Sequence, residues 1–274
     1  MEAPLRRRAF AELVGTAMLV AVVVGSGIQA AELTQDAAVR LLANALATVF
    51  GLGVLIALLG PVSGAHFNPA VTLALWWTGR RDGSGPAPRD VAAYLPAQTV
   101  GAVGGAVLAN AVFAGPLVSL STRDRSAGHL WLSETVATGA LVLLVLGLGR
   151  TGQRHLAPVL VASFVGAAYW FTSSTSFANP AVTVGRAFSD TFAGIAPASV
   201  PPFVAAQLLG AGAGVALAAA LFGRTPEAGR TPEAGRAPEA DRAPEAGRPP
   251  EAARPPEAGP VPAPAPAPTR EVPT

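Results

Sequence analysis

Apolar residues gather in six long stretches, at about 9–30, 38–59, 91–114, 130–149, 156–174 and 200–222. Each approaches the roughly 20 residues that a helix needs to cross the hydrocarbon core of a bilayer. The chain therefore reads as a polytopic, all-α membrane protein with six transmembrane helices. Two polar interruptions stand out between these stretches: Asn68-Pro69-Ala70 and Asn179-Pro180-Ala181. Proline is rejected inside a helix, where it removes a donor and clashes with the preceding turn. At the first helical position it is favoured, with a capping Asn just before it. Each triplet thus predicts the start of a short helix at membrane depth. A broken helix survives there only if it is buried in protein or lines a water-filled path. Two such starts, one per half of the chain, point to a pore or a transport site.

The two triplets lie 111 residues apart, and neighbouring text repeats at a similar offset. Ala97-Gln98-Thr99-Val100-Gly101-Ala102 resembles Ala206-Gln207-Leu208-Leu209-Gly210-Ala211, and Glu12 with Thr16 resembles Glu134 with Thr138. Val71-Thr72-Leu73 after the first triplet matches Val182-Thr183-Val184 after the second. One three-span unit is written twice. Because three is odd, the second copy enters the membrane from the other side. The repeats, about 9–114 and 130–222, are then inverted, with a site at the midplane between them. Gly101, Gly104 and Gly105, like Gly210, Gly212 and Gly214, suit close helix packing in lipid. No strand precedes them, so they do not read as a nucleotide loop.

Composition agrees with this class. Of 274 residues, 51% are hydrophobic and only 13% charged, and mean hydropathy is +0.44. The first stretch is too long, and lacks the small-residue cleavage pattern, for a plain signal peptide. There is no Cys, which excludes disulfides and thiolate metal sites. All 19 basic residues are Arg, many of them near the C-terminus, so the basic balance argues topology rather than a nucleic-acid partner. Arg6, Arg7, Arg8, Arg80, Arg81, Arg89, Arg150 and Arg154 fall on one side, which predicts cytoplasmic termini. From residue 224 the text becomes a Pro/Glu/Ala/Gly/Arg repeat without the apolar content to fold, a disordered tail over 224–274 beyond a channel-like domain at 1–223.

Two facing half-helices would aim unpaired N–H groups and partial positive charge at one point of the midplane. Asn68 and Asn179 would each offer side-chain N–H to the lumen, repelling cations and breaking a proton-conducting file of waters. At these residues the chain resembles the aquaporin and aquaglyceroporin family, the major intrinsic proteins. The likeness covers about 9–222 and includes Ser63-Gly64-Ala65-His66-Phe67-Asn68-Pro69-Ala70-Val71-Thr72, the second triplet, Glu12, Glu134, Gln98 and Gln207. It implies a right-handed bundle of six tilted helices and two half-helices and a homotetramer with one pore per subunit; no cofactor or metal is expected.

Glu12 and Glu134 are carboxylates inside spans, and so are functional candidates by default. They suit either a proton relay or the acceptance of N–H bonds from the loop before each triplet; the family pattern implies the second. Gln98 and Gln207 either buttress the same loops or line the lumen. His66 is a hydrogen-bonded residue of the pore mouth or a titrating gate.

The chain departs from the family at one position. Water-selective members carry Arg directly after the second triplet, where this sequence has Val182. Arg186 comes one turn later and is expected to pair with Asp190. Counting along the family pattern places the filter at Thr48, Ala167, Ser176 and Val182, a ring without charge or imidazole. The expectation is a wide pore for water and small uncharged solutes: glycerol-like polyols, urea, or undissociated metalloid acids such as arsenous acid. Members with Val at this position resemble the bacterial branch linked to arsenic handling. A secondary carrier on the same inverted repeat is the alternative. An intramembrane enzyme is disfavoured, since His66, His129 and His155 are far apart and no ligand or nucleophile set has suitable spacing.

Overall fold

The computed structural model describes residues 3–80 and 82–223. The tail expected over 224–274 lies outside the described residues. Those described form eight α-helices and no strand: α1 (Leu5–Leu33), α2 (Ala37–Ser63), α3 (Pro69–Gly79), α4 (Pro88–Val112), α5 (Gly128–Arg150), α6 (Ala157–Phe171), α7 (Pro180–Arg186) and α8 (Val200–Phe222). Helices α1, α2, α4, α5 and α8 are long and apolar enough to cross a membrane. Helix α6 has 15 residues, a rise of about 22 Å at 1.5 Å per residue. The span expected over 156–174 overshoots. Thr172 N–H and Oγ1 both bond back to the Ala168 carbonyl, at 3.3 and 2.7 Å, and the helix stops at Phe171.

Helices α3 and α7 are the two short ones, of 11 and 7 residues. Asn68 and Asn179 cap them in extended backbone conformation. Asn68 Oδ1 accepts from Ala70 N–H at 2.9 Å, and Asn179 Oδ1 accepts from Ala181 and Val182 N–H at 3.0 and 3.2 Å. Proline at the first position of each helix gives up a donor that would have no intrahelical partner.

Small residues set the helix pairs. Gly101 and Gly105 of α4 lie on the carbonyls of Leu13 and Ala17 in α1; Gly210 and Gly214 of α8 lie on those of Thr135 and Gly139 in α5. Residue numbers rise together in both pairs, so each pair is parallel. A Cβ on Gly101 would stand 2.3 Å from Leu13 O, and one on Gly210 2.3 Å from Thr135 O. The two pairs run in opposite directions. Arg8 in the first turn of α1 bonds Asp90 in the first turn of α4 at 2.8 and 3.1 Å. One vestibule on that face joins Asp82 and Ser84, just before α4, to Arg150 and Phe222, at the ends of α5 and α8. The chain is thus an inverted repeat of helices. Outside, Phe50, Val54 and Leu58 form an exposed apolar stripe on α2 at a spacing of four, the reverse of a soluble helix and suited to lipid.

These contacts predict that Gly101→Val and Gly210→Val each break a helix pair. The obstructing atom is backbone and cannot rotate away, so the cost reaches or exceeds the roughly 1–3 kcal/mol of ordinary overpacking. Folded yield on size-exclusion chromatography in detergent should fall sharply for both, while Gly104→Val, which meets nothing within 4 Å, retains it.

Candidate functional site

The N-terminal ends of α3 and α7 meet in the middle of the bundle. Asn68 Nδ2 donates to Ala178 O at 2.8 Å, and Asn179 Nδ2 donates to Phe67 O at 2.7 Å. The bonding settles the amide orientation: each Oδ1 faces N–H donors and each Nδ2 faces a carbonyl. An amide nitrogen carries two hydrogens, so each Asn spends one across the junction and keeps one. Both asparagines line a common cavity of about 130 Å³.

The loops that deliver these caps have unfavourable backbone. Ala65 and Phe67 in the first loop, and Thr175, Ser176 and Ala178 in the second, have φ between 47° and 62°. Left-handed backbone costs a non-glycine residue roughly 1–2 kcal/mol. A buried carboxylate behind each loop offsets it. Glu12 accepts from Ser63 Oγ (2.6 Å), His66 N–H (3.0 Å), Phe67 N–H (2.7 Å) and Gln98 Nε2 (2.8 Å). Glu134 accepts from Phe177 N–H (2.9 Å), Ala178 N–H (2.8 Å) and Gln207 Nε2 (2.7 Å). Neither carboxylate has any solvent exposure. The two Gln side chains pass the network on to Thr72 Oγ1 and Thr183 Oγ1, at 3.0 and 2.8 Å. Those hydroxyls donate in turn to the Asn68 and Asn179 carbonyls, at 2.9 and 2.8 Å. Gln98 and Gln207 are fully buried and lie behind the loops rather than on the cavity wall.

The cavity wall sorts the other expected residues. Thr48, Ser176 and Val182 lie on it; Ala167 does not, and is exposed. Helix α6 turns Ala157, Val161, Val165 and Tyr169 to the lumen, one face at a spacing of four. Position 167 is two residues, or about 200°, from that face. The expected position on α6 is therefore corrected: buried Tyr169 stands on the wall, its hydroxyl 3.1 Å from Thr48 Oγ1. Arg186 needs the same correction. It does not reach Asp190, which accepts from Thr122 N–H (2.9 Å) and Thr122 Oγ1 (3.1 Å). One turn past Val182 on the same face of α7, Arg186 lines the lumen, donates from Nε to Ala193 O at 2.5 Å and stacks 3.4 Å over Phe177.

Towards the face that carries the helix starts α1 and α4, the cavity adjoins a vestibule of about 930 Å³. His66 stands in both walls, with Nδ1 3.1 Å from Thr72 Oγ1 and its ring edge-on to Tyr94. Asp82 lies at the vestibule, its carboxyl held below the ordinary carboxylate range chiefly by the Ser84 N–H. In the connection between α4 and α5, Arg125 bonds Gly194 O and Ser174 O at 3.0 and 3.2 Å and lies 4.8 Å from the Phe177 ring. Burial first, and then the Arg186 charge, push its guanidinium down to about 9.

Comparison with known proteins agrees with this architecture. The Major intrinsic protein family matches residues 2–176. The aquaglyceroporin AqpS of Rhizobium meliloti is 50% identical, over 79% of this chain and 90% of that protein. The chain belongs to the major intrinsic protein family. A more distant member, the propanediol uptake facilitator PduF of Citrobacter freundii, is 32% identical over 64% of this chain and 78% of its own length. The X-ray structure of the Plasmodium falciparum aquaglyceroporin superposes with a TM-score of 0.56 at 20% identity, covering 78% of this chain and 95% of that one. The chain is thus a multi-pass membrane protein of a channel family, with the aquaporin fold.

Within this major intrinsic protein, sequence reasoning missed Tyr169, Arg186, Thr72 and Thr183. The two threonines carried a signal, since each stands four residues after its Asn in otherwise repeated text. The carboxylate networks give a prediction. Glu134→Ala strands three buried donors at roughly 1–3 kcal/mol each, and Glu12→Ala strands four. Both variants should lose the folded species in detergent, read as a collapsed thermal transition. Glu134→Gln keeps one acceptor oxygen and should fold with a lowered melting temperature.

Proposed function

We propose that the chain is a passive channel for water and small uncharged solutes, with glycerol-like polyols, urea and arsenous acid as the candidates. The observation that carries this reading is the crossed pair of Asn amides on the wall of one narrow cavity. Each keeps an unspent N–H there. A water or hydroxyl oxygen that accepts from both amides has its lone pairs engaged and cannot relay a proton to the next molecule. Partial positive charge at the start of α3, backed by the guanidinium of Arg186, opposes cations. Elsewhere the wall is largely apolar, with Leu52, Ile56, Val145 and Val161, which suits the carbon side of a polyol. The similar proteins AqpS and PduF, by their names an aquaglyceroporin and a propanediol uptake facilitator, agree with this solute class.

The selectivity region comprises Thr48, Ser176 and Val182 with Tyr169, and the Asn-Pro-Ala triplets form the central barrier. His66 marks the pore mouth, while Glu12, Glu134, Gln98 and Gln207 hold the loops. Both termini face the cytoplasm in the plasma or inner membrane, from the Arg bias of the short loops. The working assembly is a homotetramer, supported by the family resemblance.

Stopped-flow light scattering on proteoliposomes tests this reading. Water, glycerol, urea and arsenous acid should equilibrate faster than in protein-free vesicles, with no added proton conductance on a pH dye. Val182→Arg should lower glycerol flux relative to water by about tenfold, a barrier higher by about 1.4 kcal/mol. Vesicles that pass water but neither glycerol nor arsenite, with Val182→Arg unchanged from wild type, would refute the wide-filter reading.

A further inference from the structure

Arg186 is 3% exposed, and no carboxylate pairs with it among the described residues. A buried cation without an acid partner is costly, and inside a membrane it is a functional candidate by default. Its surroundings hold it still. The guanidinium stacks on Phe177, Nε is committed to Ala193 O, and the Phe177 ring is backed by Arg125, itself bonded to two carbonyls. Among the described residues the Nη groups are the part of the side chain left without an acceptor, and the side chain lies on the cavity wall.

The same wall carries complementary groups. Thr48 Oγ1 donates to Asn44 O at 2.8 Å, so in its 3.1 Å contact with Tyr169 the phenol is the donor. Both hydroxyl hydrogens are then spent, and this pair offers only acceptor lone pairs. Ser176 belongs to the wall, and its buried Oγ has no hydrogen-bond partner among the described residues. An unsatisfied buried hydroxyl calls for a partner, and a bound molecule can supply one.

We propose that Arg186, with Ser176, forms a solute-coordinating station that sets selectivity among neutral solutes in favour of small carbonyl compounds bearing N–H groups, such as urea and simple amides. The carbonyl oxygen takes the Arg186 N–H groups. The solute N–H groups reach the Thr48–Tyr169 acceptors, and Ser176 Oγ adds a bond of either sense. A polyol has no sp² oxygen to match the planar guanidinium fork. This assignment deepens the channel reading and rests on it.

The test measures urea, acetamide, glycerol and water permeability of the full chain in proteoliposomes by stopped flow. Arg186→Met should lower the urea-to-glycerol and acetamide-to-glycerol ratios by about three- to tenfold, the net weight of one lost hydrogen bond. Arg186→Lys should keep part of the preference. Ser176→Ala should lower the same ratios about twofold. If Arg186→Met loses its structural stacking and passes no water, the Lys and Ala variants decide. Ratios equal to wild type in water-permeable variants overturn the assignment while leaving the channel reading intact. A wild type that passes no solute overturns the channel reading and this assignment together.

Discussion

Two buried carboxylates hold the structure's most unfavourable backbone in place. The segments before Asn68 and Asn179 step through left-handed conformations at non-glycine residues, where an isolated chain would not stay. Glu12 and Glu134 convert those segments into donor arrays, each facing an acid with no access to water. A charge in that position is tolerable only because hydrogen bonds surround it. The arrangement works in both directions: the loops solvate the acids, and the acids shape the loops. Cap geometry, amide orientation and lumen width all depend on this exchange.

The two halves use the same parts but make unequal walls. Each has an acid, a Gln, a Thr and a capping Asn in one relay, and each packs a parallel helix pair through glycine. The relays then diverge along their half-helices. The face of α3 continues through Val71 and Leu75, while that of α7 continues through Val182 to Arg186. The internal symmetry therefore supplies the crossed Asn pair, and its breakdown one turn further on places a buried guanidinium on the α7 side of the cavity.

Much of this was readable from the chain. An Asn-Pro pair in apolar surroundings has few structural uses, and its duplication with matched Glu, Gln and Thr positions implied inverted halves. Angular detail was not readable. The filter position on α6 had to be counted back from Asn179 through seven non-helical residues, 172–178. A two-residue error there exchanges the lumen face for the outer one, and so Ala167 stood in for Tyr169. An i,i+4 ion pair from Arg186 to Asp190 assumes a continuing helix. Helix α7 ends at Arg186, and Asp190 belongs to a turn tied to Thr122. Helix α6 is short for a related reason: Thr172, unremarkable in an apolar run, closes it by bonding backwards.

The crossed bonds between Asn68 and Ala178, and between Asn179 and Phe67, bear on the kind of transport this fold performs. An alternating-access carrier works by rocking one repeat against the other. Here each repeat lends a carbonyl to its counterpart's amide, so such a stroke must sever both links at once in a low-dielectric interior. On the proposed channel reading the molecule is a riveted sleeve, whose throughput would follow the solute gradient without a conformational cycle to set the pace.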